Sequence, residues 1–228
     1  MTVPVPRLGG IVLCGGRSSR MGSPKAWLDF GGETLLARVV RLVRQRCAPV
    51  VVVAAPGQDV PPLPPDVGIA RDPLEGRGPL QGIAAGLQAL LEPRPGSEGV
   101  DAAFVTSTDA PFLEPALIAR LAVLRGDDHD VAVPHTDGHY HPLTAIYAGT
   151  CLPHVEALLA ADRLRPFFLY ERVRTRVCDA GTLLADPDLA NADPALRSFE
   201  NLNTPEDYTR ALVTLGVRVA PGTDSDRT

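Results

Sequence analysis

Residues 9–25 read GGIVLCGGRSSRMGSPK, a short apolar run followed by a glycine-rich, basic segment. Residues 11–14 are typical of a short buried strand, because a continuous apolar run between glycines suits the core of a parallel sheet. Glycines in the following segment would let a ligand approach the backbone N–H groups, and its cations could neutralise phosphate oxygens. These residues are the glycines Gly15, Gly16 and Gly22 and the cations Arg17, Arg20 and Lys25. The segment therefore predicts a phosphate-binding loop.

This loop matches neither of the two commonest phosphate motifs. A P-loop has four residues between its glycines, whereas five separate Gly16 from Gly22, and Lys25 precedes Ala26 instead of Ser or Thr. A flexible connection with solvated charges is the alternative interpretation. The order strand, loop, lysine and helix favours phosphate binding, since residues 34–47 carry apolar side chains near helical period. That order places the loop at the carboxyl end of a first strand, where open α/β sheets bind ligands.

The composition limits the classes of function. The 228 residues are 45% hydrophobic and carry a formal net charge of −5, which argues against a general nucleic-acid or anionic-membrane binder. No apolar run approaches the ~20 residues of a membrane span, and residues 1–7 lack the apolar region of a signal peptide. The four cysteines show no metal-ligand spacing and indicate reduced thiols. We expect a cytoplasmic protein that binds neither nucleic acid nor membrane.

The rest of the chain alternates strand and helix patterns. This alternation predicts a single α/β domain over residues 1–218 with a mostly parallel sheet, followed by a disordered tail at 219–228. Predicted strands lie at 50–55, 67–70, 102–106, 130–134 and 142–148, and residues 177–188 are predicted as a strand with polar turns. Predicted helices cover 34–47, 80–91, 114–125, 152–159 and 204–215, the last with Thr204 as N-cap and Pro205 at the first helical position.

Two further features resemble parts of a nucleotide site. A second glycine-rich loop that contains Gly78 precedes the helix at 80–91, whose amino end could attract an anion. Asp109 follows a central strand and could hold Mg²⁺, a hard cation that prefers oxygen ligands. Asp109 could instead be the N-cap of the helix at 114–125, but it lies early for that, and Pro111 favours a turn. The metal role is the preferred interpretation.

Two segments stay open on the residues alone. His135, His139 and His141 have spacing that could bind a transition metal if the segment were a hairpin, although a polar loop facing the substrate is favoured because no fourth ligand stands nearby. Residues 163–174 mix aromatic side chains with four arginines. They could form a helix with its aromatics in the core, or part of a surface for an anionic partner.

The ordered motifs resemble the molybdenum cofactor guanylyltransferase family of the nucleotidyltransferase superfamily. The motifs are LCGGRSSRMGSPK, RDPLEGRGPLQG, STDAPF, HPLTAIY and NLNTPED, and they span residues 9–214. The resemblance implies a three-layer Rossmann-like domain of the nucleotide-diphospho-sugar transferase type, with helices on both faces of a mostly parallel sheet. It also implies Mg²⁺-dependent transfer of GMP from GTP to the terminal phosphate of molybdopterin, with release of pyrophosphate.

The resemblance also implies roles for individual residues. Lys25, Asp109 and Arg20 are the implied catalytic residues, and Asp109 holds Mg²⁺. The implied nucleotide-binding residues are Leu13, Cys14, Gly15, Gly16, Arg17, Lys25, Asp72, Gly78 and Asp109. The acceptor molybdopterin would contact Asn201, Asn203, His141 and Arg165, and molybdoenzymes or other proteins of cofactor biosynthesis are implied partners.

One departure concerns the choice of base. Some relatives carry Asn after the second strand to help read guanine, and here that place is Ala54. Three alternatives therefore stay open: a cytidylyl- or sugar-phosphate nucleotidyltransferase of the same fold, a non-catalytic molybdopterin carrier, and a general phosphate-binding module. The carrier is disfavoured because it needs no triphosphate cradle with a metal site, and the general module leaves Asp109 unexplained.

Overall fold

A computed structural model describes residues 7–14, 24–74, 76–92 and 99–217. Within these ranges the chain forms eight β-strands and eight α-helices. The strands are β1 (Leu8–Leu13), β2 (Val50–Ala54), β3 (Val67–Arg71), β4 (Ala102–Ser107), β5 (Val131–Thr136), β6 (His139–Tyr140), β7 (Thr144–Ala148) and β8 (Thr175–Cys178). The helices are α1 (Leu35–Val43), α2 (Pro79–Leu91), α3 (Pro115–Arg125), α4 (Leu152–Ala160), α5 (Phe167–Tyr170), α6 (Ala180–Leu184), α7 (Pro187–Ala192) and α8 (Pro205–Thr214).

The strands form one mixed sheet in the order β3-β2-β1-β4-β7-β5, with β6 and β8 both paired to β5. The neighbours from β3 to β4 are parallel, as is the β5–β8 pair. Strand β7 runs antiparallel to both β4 and β5, and β6 closes a hairpin with β5. The prediction of an α/β fold with a mostly parallel central sheet is confirmed.

Alternate side chains of the strands pack into two cores on opposite faces of the sheet. On β1, Ile11 and Leu13 belong to the core under α2, α4 and α5. Val12 belongs to the core under α1, α3, α6 and α7. Helix α8 packs separately through Leu212 against Phe30. The sheet is thus covered by helices on both faces, because the alternation of a strand gives each face its own apolar set.

Helix α2 lies close to β1 because its facing residues are glycines. A Cβ added to Gly82 would lie 3.1 Å from the Leu13 side chain, and one added to Gly86 would lie 2.6 Å from the Ile11 side chain. Only a residue without a side chain allows this separation. The amino end of α2 therefore lies beside the carboxyl edge of the sheet.

Several predicted boundaries were wrong. Helix α1 ends at Val43 and not at residue 47, because the Ala48 N–H bonds the Leu8 carbonyl and Pro49 cannot continue a helix. Residues 177–188 are not a strand with turns: β8 ends at Cys178, and Asp179 and Asp186 then cap α6 and α7. Helices of five or six residues offer too few periodic positions to be recognised.

The segment 163–174 contains only one short helix, α5. Phe168 and Tyr170 are partly buried and pack against the core under α2, whereas Phe167 is 46% exposed. The expectation that the aromatics of this segment pack in the core therefore holds for part of them.

No helix in the described part of the chain is long and apolar enough to span a membrane. The tail predicted at 219–228 lies outside the described residues.

Candidate functional site

A cavity of about 620 Å³ opens at the carboxyl ends of β1, β2 and β4, on the sheet face covered by α2. Its wall combines apolar strand ends, backbone of the second glycine-rich loop and polar side chains. The lining residues are Leu13, Val53, Ala54, Ala55, Asp72, Gly76, Gly78, Pro79, Gly82, Ser107, Asp109, Leu143, Asn201 and Asn203. This is the edge of the sheet at which the sequence predicted a ligand site.

An ion pair joins Lys25 and Asp109, two of the expected catalytic residues. The Lys25 Nζ atom lies 2.8 Å from Asp109 Oδ2, and both side chains are about four-fifths buried. Ser107 Oγ donates to the other oxygen, Asp109 Oδ1, at 2.5 Å. Lys25 Nζ also lies 3.5 Å from Asn203 Oδ1. One ammonium group therefore links the carboxylate after β4 to the asparagine segment near the carboxyl terminus of the described chain.

The position of Asp109 follows from a tight turn after β4. The Thr108 N–H bonds the Leu13 carbonyl at the end of β1, and the Ala110 N–H bonds the Ser107 carbonyl. These bonds hold residues 107–110 at the sheet edge. Helix α3 begins only at Pro115 and has Glu114 as its N-cap. Asp109 is thus not the cap of α3, and the alternative structural explanation for this carboxylate is wrong.

Asn201 and Asn203 both line the cavity because the buried Leu202 between them fixes the segment. The Leu202 N–H donates to the Asp109 carbonyl at 2.9 Å, and its side chain packs in the core beside α8. Both asparagines thus contribute to the same cavity wall. Asp207 Oδ2 accepts from the N–H groups of both Asn203 and Thr204, and the bond from Thr204 is part of the N-terminal capping box of α8.

The other end of the cavity is formed by the ends of β2 and β3. Asp72 follows β3, and its N–H bonds the Ala54 carbonyl at 2.9 Å. Burial raises the pKa of the Asp72 carboxyl, while a hydrogen bond from the Leu74 N–H acts in the opposite direction. Ala54 and Ala55 present only methyl groups and backbone here. Asp72 therefore places a carboxyl group on this end of the cavity wall.

Sequence reasoning missed Gln58, which joins two strand ends near the cavity. Its Oε1 accepts from the Ala55 N–H at 3.0 Å, and its Nε2 donates to the Cys14 carbonyl at 3.1 Å. Arg71 donates to the Ala55 and Gln58 carbonyls. The amide thus ties the chain just before the glycine-rich loop to the chain just after β2. A lone glutamine in a turn gives no periodic or motif signal that could have identified it.

Not every predicted residue reaches the cavity. Lys25 does not line it but contacts the lining residue Asp109. Cys14 does not line it either and contacts Gln58 instead, and Arg165 is exposed outside it. The His141 ring stacks on Phe199 at 4.2 Å between centroids, with its Nε2 atom 2.7 Å from Thr136 Oγ1. Five residues of the predicted phosphate-binding loop lie outside the described ranges: Gly15, Gly16, Arg17, Arg20 and Gly22.

The histidine segment does form a hairpin, between β5 and β6. His135 packs against Tyr140, while His141 is held by Thr136. Among the described residues, no group of three His, Cys, Asp or Glu side chains is arranged to hold a metal ion. The three histidines therefore do not assemble the transition-metal site that a hairpin was expected to permit.

A single carboxylate in a phosphate site fits a divalent cation of the Mg²⁺ type. Mg²⁺ is commonly bound by one or two carboxylates together with substrate phosphates, and not by a cage of protein ligands. Asp109 supplies hard oxygen donors at the cavity wall, with Ser107 orienting one of them. Its second oxygen is occupied by Lys25, so a cation can bind there only if the ammonium group moves.

Most of the chain is similar in sequence to known proteins. Residues 10–175 match the family model described as the MobA-like NTP transferase domain. A Mycobacterium tuberculosis H37Rv protein named probable molybdenum cofactor guanylyltransferase is 44% identical over 165 residues, which cover 70% of this chain and 76% of that protein. A Pelotomaculum thermopropionicum protein of the same name is 33% identical over 204 residues, 90% of this chain and 91% of its own.

Solved structures share the fold. The molybdopterin-guanine dinucleotide biosynthesis protein A of Archaeoglobus fulgidus has a TM-score of 0.69 at 22% identity, over 91% of this chain and 98% of that one. A second Mycobacterium tuberculosis H37Rv protein, solved in complex with manganese, has a TM-score of 0.54 at 16% identity, over 91% and 99% of the two chains. At these identities the likeness concerns the nucleotidyltransferase-like architecture alone.

Proposed function

Because the chain belongs to the MobA-like NTP transferase family, we propose that it transfers GMP from GTP to the terminal phosphate of molybdopterin. An oxygen of the acceptor phosphate attacks the α-phosphorus of GTP, the bond between the α-phosphorus and the bridging oxygen breaks, and pyrophosphate leaves. The observation that carries the proposal is the Lys25–Asp109 pair, whose carboxylate lines the cavity at the sheet edge. Lysine binds phosphate as a point charge, and a carboxylate beside it offers a metal ligand.

The acceptor needs no general base. A phosphate monoester has a second pKa of about 6 and is largely a dianion at neutral pH. Catalysis then consists of holding two polyanions in line and stabilising the charge that develops. Lys25 supplies a cation at the phosphates, and Asn201 and Asn203 offer amide donors on the same wall.

Asp109 would hold Mg²⁺ through its carboxylate oxygens. Bound there, the ion would offset negative charge on the α-phosphate and on the leaving pyrophosphate. The manganese complex of the structural neighbour agrees with the use of a divalent cation by proteins of this fold. Ser107, which already bonds Asp109 Oδ1, would keep the carboxylate oriented when Lys25 turns toward the phosphates.

The nucleotide would lie with its phosphates at Lys25 and its base and ribose toward the ends of β2 and β3. Asp72 is placed to accept hydrogen bonds there, and the backbone of Ala54 and Ala55 offers further groups. Gly78, which has a φ of 78° as the N-cap of α2, brings the backbone of the second glycine-rich loop to the cavity wall. A helix amino end beside the site favours an anion.

The test is binding and turnover of GTP, CTP, ATP and UTP with Mg²⁺ by the full chain, with molybdopterin as acceptor. We expect GTP to bind best and to be the nucleotide that supports pyrophosphate release. Lys25→Ala and Asp109→Ala should each lose most of the activity and stay folded. Asp127→Asn, which changes an exposed carboxylate on the turn after α3, is the matched control and should retain full turnover.

Two other results would replace the proposal. A preference for CTP would assign a cytidylyl transfer to the same site, an outcome that Ala54 at the base end makes worth testing. Binding of molybdopterin without binding of any triphosphate would indicate a carrier. The product dinucleotide would pass to molybdoenzymes or to other proteins of cofactor biosynthesis, and we place this reaction in the cytoplasm.

A further inference from the structure

Four rings form an exposed aromatic surface on the hairpin of β5 and β6 and on α5. This surface, termed the aromatic ledge, consists of His135, Tyr140, Phe167 and Tyr170. The Tyr140 ring lies 4.6 Å from His135, 5.9 Å from Phe167 and 5.5 Å from Tyr170 between centroids. Tyr140 is 37% exposed and Phe167 is 46% exposed. Large aromatic side chains that gather at the surface of a chain with only 5% aromatic residues require an explanation.

The aromatic ledge lies next to the cavity and on the same face of the sheet. Leu143, which lines the cavity, follows the hairpin directly and packs with Tyr170 against the core under α2. On the other side, a Cβ added to Gly78 of the cavity wall would lie 3.7 Å from the Leu164 carbonyl, three residues before Phe167. The connection to α5 therefore forms a rim shared by the cavity and the ledge.

The strand order of the sheet sets the distance between the Lys25–Asp109 pair and the aromatic ledge. Strand β7 lies between β4, which ends at the Asp109 turn, and β5, which ends at the hairpin. Neighbouring strands are about 4.8 Å apart, so the end of β4 lies roughly 10 Å from His135 on β5 and roughly 15 Å from Tyr140 on β6. A single small molecule is therefore long enough to reach from the ledge to the Lys25–Asp109 pair.

We infer that the aromatic ledge binds the heteroaromatic ring of the acceptor, which is the pterin if the proposed function is correct. A flat, polar ring system gains most by stacking on aromatic faces, with hydrogen bonds made at its edges. Tyr140 and Phe167 offer such faces, and the Tyr170 hydroxyl is already bonded to the buried Tyr147 hydroxyl, which fixes the ring beneath them. The acceptor would thus extend from the ledge to the cavity, with its phosphate near Lys25.

The acceptor KM tests this inference. In Tyr140→Ala and Phe167→Ala, each measured in the full chain, we expect the KM for molybdopterin to rise roughly tenfold, the loss typical of one stacked base. The KM for GTP should be unchanged. Tyr140→Phe should retain the wild-type KM because it keeps the ring, and Val123→Ala, which trims an exposed side chain on α3, should have no effect.

A ligand without phosphate separates this inference from the proposed function. Pterin-6-carboxylate should bind the wild-type chain, with its fluorescence quenched on stacking, and should bind at least tenfold more weakly to the Tyr140→Ala, Phe167→Ala double variant. Unchanged pterin binding and unchanged acceptor KM in the folded variants would overturn the inference while guanylyl transfer stands. Pterin binding to the ledge in a chain that transfers no nucleotide would instead overturn the proposed function.

Discussion

At the scale of single residues, Lys25 and Asp109 would each exchange their mutual contact for a different ligand when substrates bind. The same 2.8 Å contact that stabilises Lys25 blocks one carboxylate oxygen from a cation. A triphosphate would draw the ammonium group away and free the carboxylate, because phosphate oxygens compete for the same charge. Under the proposed function, cation and nucleotide binding would therefore be coupled through the movement of one side chain.

This coupling predicts the effect of Lys25→Met on metal affinity in the absence of nucleotide. We expect Mn²⁺ to bind several-fold more tightly to the variant than to the wild-type chain, since Asp109 no longer has a cationic partner in contact. Electron paramagnetic resonance of free Mn²⁺ measures this without any turnover. Arg44→Met, which breaks the exposed pair with Asp66, is the control. Equal Mn²⁺ affinity in Lys25→Met and wild type would contradict the coupling.

Gln58 predicts a second effect at a single residue. Gln58→Ala removes the hydrogen bonds that join the Cys14 carbonyl to the Ala55 N–H, so the base end of the cavity loses its fixed spacing. Without them this end would have to be ordered on binding, at a cost of at most about 1 kcal/mol for each lost bond, so the nucleotide affinity should fall by up to roughly thirtyfold. Calorimetric titration with GTP measures it, and Gln45→Ala in the exposed turn after α1 should bind normally. Unaltered affinity in Gln58→Ala would exclude this role.

At the scale of secondary-structure elements, the position of α2 depends on two glycines that face β1. Gly86→Ala would normally favour a helix by about 1 kcal/mol. Here the new methyl group would lie 2.6 Å from the buried Ile11 side chain, so we expect a net loss of about 1–3 kcal/mol in the free energy of unfolding. Urea denaturation measures the difference. Gly99→Ala, where a Cβ meets nothing within 4 Å, should leave the stability unchanged.

The elements differ in how far the sequence predicts them. Strands β1, β2 and β4 and helices α2, α3 and α8 were predicted to within a few residues, because each has a long apolar period or clear caps. The ends of β1 and β4 meet at one edge, which is why Lys25 and Asp109 could be expected near each other. Asp72, Asn201 and Asn203 were expected at the same site from the family resemblance alone. Helices α6 and α7 were missed because local Asp caps, and not periodicity, define them.

The remaining part of the site depends on pairing between distant segments. Tyr140 and Phe167 are 27 positions apart, and nothing in either segment indicates that their rings lie 5.9 Å apart. That contact arises because α5 lies beside the hairpin of β5 and β6, and the strand order of the sheet decides this neighbourhood. Likewise, the bridge made by Gln58 exists only because β1 and β2 are neighbours. Such contacts are set by topology and leave no local pattern.

At the scale of the whole molecule, the half of the sheet farthest from the cavity is held by an ionic link. Asp130 at the start of β5 accepts three hydrogen bonds from Arg174, which precedes β8. The Arg174 side chain lowers the pKa of Asp130 to about 2 from an ordinary 3.8, and burial opposes this shift only in part. The carboxylate thus contributes to stability above pH 4, and the contribution falls as the pH drops toward 2.

We therefore expect Asp130→Asn to lower the free energy of unfolding at pH 7 and to have little effect near pH 2. The sign follows because the folded chain binds this proton less readily than the unfolded chain. Chemical denaturation across the pH range measures the difference. Asp127→Asn, an exposed carboxylate three residues away, should give a flat difference. A destabilisation by Asp130→Asn that does not change with pH would show that packing, not charge, is responsible.

The Lys25–Asp109 pair has one more consequence, because Lys25 is the only lysine in the 228 residues. Apart from the amino terminus, an acylating reagent has a single amine target in this chain, and under the proposed function that target lies in the nucleotide site. An ammonium held by a carboxylate is a poor nucleophile, and one covered by a triphosphate is poorer still. The rate of acylation would therefore report the fraction of sites that are filled, and enzymes that acetylate lysine could reach this chain only by competing with its substrate.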